Sequence, residues 1–428
     1  MPRRRVLADL TPLRESRDYR LLFSGQVASY IGRQFTVVAI PVQVYAMTHS
    51  SLMVGLVGLA SLGPLIIFSL AGGALSDAFD RRRLLLINQV LLLATSAVLA
   101  LNAGLGHPAL WPVFVFGALS AGFAGADMQT RNAITPRLVR RETFPAAAAL
   151  GQLVWQVGMI VGPTLAGILI AHVSLAAAYW LDASTFVVAL GTALPMRPLP
   201  PEGGGTKAGL SSVLEGLRFL KGKQVLVSTF VIDINAMVFG MPSALFPQLG
   251  TQVFGGGAQT VGFLYAAPGA GALLGALFSG WVPRVRRQGL AVIIAVILWG
   301  AAIAAFGFTE SLPLALVLLA LAGAADVVSA VFRNTILQLS VPDAFRGRLS
   351  GVHIAVVAGG PRLGDAEAGA VAALTTPQIS VISGGLACIA GALVIARLVP
   401  EFVRYDAQKA PVYSADGPTP AAKGEVHG

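Results

Sequence analysis

Charge is scarce in this chain. Only 12% of its 428 residues are Asp, Glu, Lys or Arg, against about 25% in ordinary soluble domains. A water-soluble chain of this length must cover its surface with polar groups, and too few are present. Cysteine is nearly absent: Cys388 stands alone in an apolar run, which excludes an internal disulfide framework. The five histidines are scattered, without the HExxH or Cys/His spacing of a metal site. No GxxxxGK[ST] phosphate loop occurs, so no ATP-hydrolysing module of that kind is visible. No nucleophile–base constellation supports an enzyme, and no cofactor is expected.

What is present is apolar. The chain is 55% hydrophobic, with a mean hydropathy of +0.74. Glycine (49) and proline (25) are plentiful. In lipid, glycine lets helices approach closely, and neighbouring helices re-satisfy backbone that proline interrupts. The bilayer is therefore the expected solvent. A spanning helix needs about 20 mostly apolar residues, and twelve such runs can be read. The first half gives Leu21–Met47, Leu52–Ser76, Leu84–Leu105, Leu110–Thr130, Phe144–Ala171 and Leu175–Pro195. The second gives Val225–Leu249, Thr260–Val282, Leu290–Phe308, Leu312–Leu337, Leu349–Leu374 and Ile379–Leu398. The expected fold class is all-α, with two six-helix bundles.

Positive charge tests this reading, because Lys and Arg concentrate in cytoplasmic loops. With the N-terminus inside, Arg3, Arg4, Arg5, Arg14, Arg17 and Arg20 lie inside, as do Arg81, Arg82 and Arg83. So do Arg137, Arg140, Arg141, Arg197, Lys207, Arg284, Arg286, Arg287, Arg346 and Arg348. No Lys or Arg falls in an outer connection, where His49, His107, His172 and Glu310 are the only candidate charges. A wrong helix count would scatter basic clusters to both sides, so both termini are expected to be cytoplasmic. The net charge of +10 then follows from topology and from attraction to anionic inner-leaflet lipid. No nucleic-acid partner is expected. The first twenty residues are polar and Arg-rich, unlike a cleavable leader.

The boundaries that follow are a cytoplasmic segment at 1–20, bundles at 21–195 and 225–400, a linker at 196–224 and a tail without fixed structure at 401–428. The linker carries Pro198, Pro200, Pro201 and Gly203–Gly205, as flexible connections do. The halves repeat weakly at an offset of about 202 residues. Arg131-Asn132-Ala133-Ile134 matches Arg333-Asn334-Thr335-Ile336, and Gly162 with Ala166-Gly167 matches Gly364 with Ala368-Gly369. Duplicated halves suit alternating access.

Three features resemble the major facilitator superfamily. One is the 6+6 layout. Another is the connection after the second run, Gly73-Ala-Leu-Ser-Asp77-Ala-Phe-Asp80-Arg81-Arg82-Arg83, which is similar to that family's loop of Gly, Asp and a basic cluster. The third is Gly158-x-x-x-Gly162-Pro163-x-x-Ala166-Gly167 in the fifth run, which resembles the motif of its proton-coupled antiporters, with Ala166 in place of a Gly. The matching loop of the second half, Gly280 to Arg287, lacks the acid. The segments Gly25–Pro41 and Gly360–Gly369 further resemble the branch that includes bacterial enterobactin exporters and related drug exporters. The resemblance implies a secondary active transporter, most simply a proton-coupled exporter of a small amphiphilic molecule such as a siderophore or drug. It would act as a monomer in a bacterial inner membrane, with its cargo, protons and the bilayer as partners. A nutrient importer of the same fold and a non-transporting sensor or scaffold are the alternatives.

Ionisable groups in a bilayer cost at least ~2.5–3.5 kcal/mol each, so each in-span charge needs a reason. Asp127, Asp233, Asp326, Asp365 and Glu367 are the candidate proton carriers, with structural ion pairing as the competing explanation. Asp127 and Arg131 share a helix face at i,i+4, and Arg362 and Asp365 are neighbours at i,i+3. Arg33, Tyr30 and Trp155 are candidates for a charged, aromatic substrate cavity. A buried Arg33 needs a partner, with Asp233 or Asp326 as the candidate acid, or else an anionic substrate. Asp77, Arg81, Arg131 and Arg333 are read as an inner gate, or as topology and capping alone. Gly158, Gly162, Pro163 and Gly167 allow close packing, with Pro163 favouring a bend. Asp182 reads as a structural polar contact, and Trp111, Trp155, Tyr179, Trp180 and Trp281 as interfacial anchors, with the cavity as the alternative place for Trp155.

Overall fold

The computed structural model describes residues 9–201, 210–406, 412–414 and 417–419. Arg3, Arg4, Arg5, Lys207 and most of the tail beyond 406 lie outside the described residues. Among the described residues, twelve long helices follow one another: α1 (Arg17–Thr48), α2 (Ser51–Ala78), α3 (Arg81–Ala103), α4 (Leu110–Leu138), α5 (Phe144–His172), α6 (Leu175–Ala193), α7 (Gln224–Phe239), α8 (Gly257–Leu277), α9 (Gln288–Phe308), α10 (Leu312–Ser340), α11 (Asp343–Leu374) and α12 (Pro377–Leu398). Among the described residues, ten helical stretches are long and apolar enough to cross a membrane; α7 counts with its continuation through a 3-10 turn into Phe246–Gln252. The two left out, α1 and α11, are each 32 residues long. At 1.5 Å per residue that is about 48 Å, more than a bilayer core requires. Their polarity sets them apart: α1 carries Arg33 with Gln26 and Gln34, and α11 carries Arg362, Asp365 and Glu367.

Short polar side chains punctuate the helices where the sequence breaks. Ser50, Asp80, Ser174 and Thr376 each accept a hydrogen bond from the backbone N–H three residues on, at 2.9–3.4 Å. These bonds satisfy donors that a helix start leaves open. His49 closes α1 in the left-handed region, at φ 50°, with its N–H donating to the Tyr45 carbonyl.

The described chain forms two compact units. The first comprises residues up to 208 together with Ser243–Gly269; the second comprises Gly209–Pro242 and residues from 270 on. In the first unit α2 packs along α4, and α1 along α6. Gly72 is what allows α2 so near: a Cβ there would lie 2.7 Å from the Ala126 Cα. In the second unit α9 lies against both α10 and α12. Residues assigned to the linker are partly ordered: Leu210–Leu220 is a helix. Its Phe219 and Leu220 join a core cluster with Leu226, Phe230 and Val352, and Phe219 stacks on Phe345 at 4.2 Å between centroids. Beyond α12, Pro400–Val403 forms a short helix and Val412–Ser414 pairs antiparallel with Gly417–Thr419.

Basic residues at one end of the first unit hold its connections. Arg82 donates to the carbonyls of Ala193 and Leu194 at the end of α6, where unpaired carbonyls favour a cation. Asp80 caps α3 and also accepts from the Leu199 N–H at 2.7 Å. Glu15 pairs with Arg140, and Asp18 with Arg197 at 3.2 Å. Hydrogen bonding to Glu15 raises the Arg140 pKa. These arginines are exposed, so solvent screens both pairs and they add little to stability. Tyr179 departs from its expected interfacial place. It is fully buried and donates to the Gln43 Oε1 at 2.8 Å, because α6 turns that face onto α1.

Candidate transport sites in each unit

The first unit encloses a cavity of about 560 Å³ lined by Tyr30, Arg33, Asp127, Arg131 and Trp155. Five residues singled out in the sequence, from three helices, therefore meet in one place. Arg131 Nε bonds the Asp127 Oδ2 at 2.8 Å, and the Gln89 Nε2 reaches the Asp127 Oδ1 at 2.7 Å. Both Asp127 oxygens are thus satisfied and the pair is buried. Arg33 makes no ion pair within 4.0 Å among the described residues; its guanidinium sits over the Tyr30 ring, 4.8 Å from the centroid. A cation over an aromatic face is stabilised by the ring quadrupole. With Asp127 and Arg131 cancelling, Arg33 leaves this cavity with one net positive charge.

Asp182, on α6, is fully buried beside this region. Its Oδ2 accepts from Thr36 Oγ1 at 2.5 Å and from Ser96 Oγ at 2.8 Å, which ties α6 to α1 and α3. Among the described residues its Oδ1 has no hydrogen-bond partner. The expected structural contact is there, deeper and more isolated than the sequence suggested.

At the gate residues, Asp77 faces Arg81 at 3.8 Å. Arg81 also donates to the Ser76 carbonyl at 2.9 Å and the Ala133 carbonyl at 3.3 Å, joining the ends of α2 and α4. Arg131 pairs with Asp127 instead, one turn back along α4.

The α5 glycines face two different neighbours. A Cβ on Gly158 would lie 2.7 Å from the Tyr30 ring, and one on Gly162 would overlap the Gln34 side chain on α1. Further along, a Cβ on Gly167 would lie 2.7 Å from the Ala258 carbonyl oxygen and 2.8 Å from the Gly262 Cα on α8. The helix continues through Pro163 as α-helix to His172. Gly167→Val is expected to destabilise the protein by about 1–3 kcal/mol, the range for overpacking, because the neighbours it meets are backbone. A thermal-unfolding midpoint no lower than wild type would refute this. Gly364, the repeat counterpart of Gly162, meets backbone of α7 where Gly162 meets a side chain: its Cβ would lie 2.5 Å from the Met237 carbonyl oxygen.

In the second unit, Arg333 pairs with Asp233 and lies 3.9 Å from Asp326. Arg333 and Asp233 are buried, while Asp326 is about one-third exposed, at 38%. His353 lines the same pocket of about 170 Å³. Two carboxylates therefore share one guanidinium. Opposite charge at a few ångströms stabilises a carboxylate, and a second carboxylate nearby disfavours it. His353 was missed because a single histidine in α11 carries no spacing signal. Arg362 and Asp365 stand 3.9 Å apart, as their i,i+3 spacing implied. Glu367 is partly buried, and among the described residues no ion pair or side-chain hydrogen bond reaches it.

Residues 7–419 match the family model described as transmembrane secretion effector. The chain belongs to the major facilitator superfamily. It is accordingly a multi-pass membrane transporter for small molecules rather than an enzyme. It is 30% identical over 411 residues to the enterobactin exporter EntS of Escherichia coli O157:H7, covering 96% of this chain and 99% of that one. It is 31% identical over 394 residues to the same exporter of Escherichia coli O139:H28, covering 92% and 94%. Solved transporter structures share the fold at low identity. The nucleoside transporter NupG matches with a TM-score of 0.72 at 13% identity, over 89% of this chain and 98% of that one. A D-xylose-proton symporter matches with a TM-score of 0.68 at 16% identity, over 90% and 98%.

Proposed function

We propose that this superfamily member is a proton/substrate antiporter that exports a small amphiphilic molecule, such as a siderophore or drug, across a bacterial inner membrane. It would do so as a monomer with twelve spans and both termini cytoplasmic. The observation that carries the coupling is the sharing of Arg333 by Asp233 and Asp326. One cation neutralises one carboxylate, so the second is the group with most to gain from a proton. Asp326 is the better carrier: it is the more exposed of the two and the further from the guanidinium. Asp127 is a weaker carrier, since Arg131 and Gln89 already occupy both of its oxygens. Asp365 has Arg362 beside it, whereas Glu367 is a second candidate.

The direction of transport rests on the α5 motif and on the two exporters named above. Arg33, Tyr30 and Trp155 would receive an aromatic or anionic part of the cargo. Asp77, Arg81 and Arg131 would brace the inner ends of α2 and α4, with Arg333 as the counterpart in the second half. Inside-out vesicles containing the protein and energised by a proton gradient provide the test, with siderophores and lipophilic dyes offered as cargo. Cargo accumulation with matching proton release is the expected result. Accumulation that persists after an uncoupler collapses the gradient, or no flux with any compound, would refute proton-driven export.

A further inference from the structure

We propose that the groove between α9 and α10 is a binding site for an acyl chain of an anionic phospholipid, with the lipid phosphate held by Arg287 and its neighbours Arg284 and Arg286. The groove has a volume of about 760 Å³, and its walls are apolar except at one end, where Arg287 lines it. Alanines at 291, 295, 302, 324 and 325 keep the walls low, so a slot remains between two otherwise close helices. Ile294, Leu298 and Leu321 border it and are exposed on the outside of the unit. In a membrane that exposure is to lipid.

Length and charge together select the occupant. The slot runs from Leu318 to Val328 along α10 and from Leu290 to Ala305 along α9, about 15 Å and about 22 Å at 1.5 Å per residue. That is half to three-quarters of a hydrocarbon core of about 30 Å, long enough for one acyl chain. The polar end of a chain lying there meets Arg287, with Arg284 and Arg286 within three residues of it in sequence and all three exposed. Trp281 stands at the same end and lines the groove, as aromatic side chains do at headgroup level. A phosphodiester complements such a cluster, and a zwitterionic headgroup complements it less well. Neither the direction of transport nor its cargo enters this inference.

The test uses the full chain in detergent, with native mass spectrometry counting retained phosphatidylglycerol and phosphatidylcholine of matched chains. Phosphatidylglycerol should be retained preferentially. Each arginine near an anionic lipid contributes about fivefold in affinity. R284Q/R286Q/R287Q should therefore cut phosphatidylglycerol binding about a hundredfold while leaving phosphatidylcholine unchanged. A325F, which fills the slot, should weaken both lipids. If the triple variant fails to fold, R287Q alone, with its fivefold loss, and A325F decide the matter. Equal binding of the two lipids overturns the proposal, as does wild-type retention by the arginine variants or by A325F. Displacement of both lipids by an amphiphilic dye would assign the groove to cargo and overturn it too.

Discussion

Asp326→Asn is expected to remove substrate-driven proton release in inside-out vesicles while leaving the protein folded, whereas Asp233→Asn should damage both. The difference comes from their places around Arg333. Asp233 is buried and is the direct partner of the guanidinium. Its neutralisation leaves a buried cation dependent on Asp326 at 3.9 Å. Losing one partner of a buried pair typically costs 3–5 kcal/mol, and the remaining acid places this case near the lower end, about 3 kcal/mol. Asp326→Asn keeps the closer pair and removes only the more exposed carboxylate. Cargo-dependent proton flux and the thermal-unfolding midpoint would be read on the same preparations. Proton release surviving in Asp326→Asn would exclude that residue as the carrier and move attention to Glu367.

Arg131→Met should destabilise the first unit by about 3–5 kcal/mol, because it leaves Asp127 buried with Gln89 as its remaining donor. Adding Asp127→Asn should restore most of that loss, since two neutral side chains no longer strand a charge. The double-mutant cycle measures the pairing directly. It also separates the two roles of Asp127. A double variant that folds and transports marks the pair as structural; one that folds but carries no flux assigns Asp127 to the proton path. Equal stability of wild type and Arg131→Met would contradict the buried-pair geometry itself.

The repeat at an offset of about 202 residues bears on both predictions. Arg131 and Arg333 occupy matching positions in α4 and α10, yet they find their acids differently. Arg131 takes Asp127 from its own helix one turn away, while Arg333 takes Asp233 from α7. The local pair was legible from i,i+4 spacing, and the long-range one was not. The i,i+3 pair Arg362–Asp365 was legible for the same reason. The meeting of Tyr30, Arg33 and Trp155 around one cavity depends on how α1 seats against α5 at Gly158. Spacing suggested that these glycines pack closely, without naming the helices they pack against.

The sequence alone determined what can be decided in one dimension. Apolar run length, the scarcity of charge and the loop and α5 motifs were enough for a membrane-embedded helical chain of the major facilitator superfamily. Lipid solvation and helix length act locally, so these properties survive without coordinates. Tertiary structure decided which charges neutralise each other. It put two acids on Arg333, closed both oxygens of Asp127, left Arg33 with an aromatic ring instead of a carboxylate, and sank Asp182 beneath Thr36 and Ser96. Electrostatic partnership depends on distances of a few ångströms between helices far apart in sequence, and packing alone sets those distances.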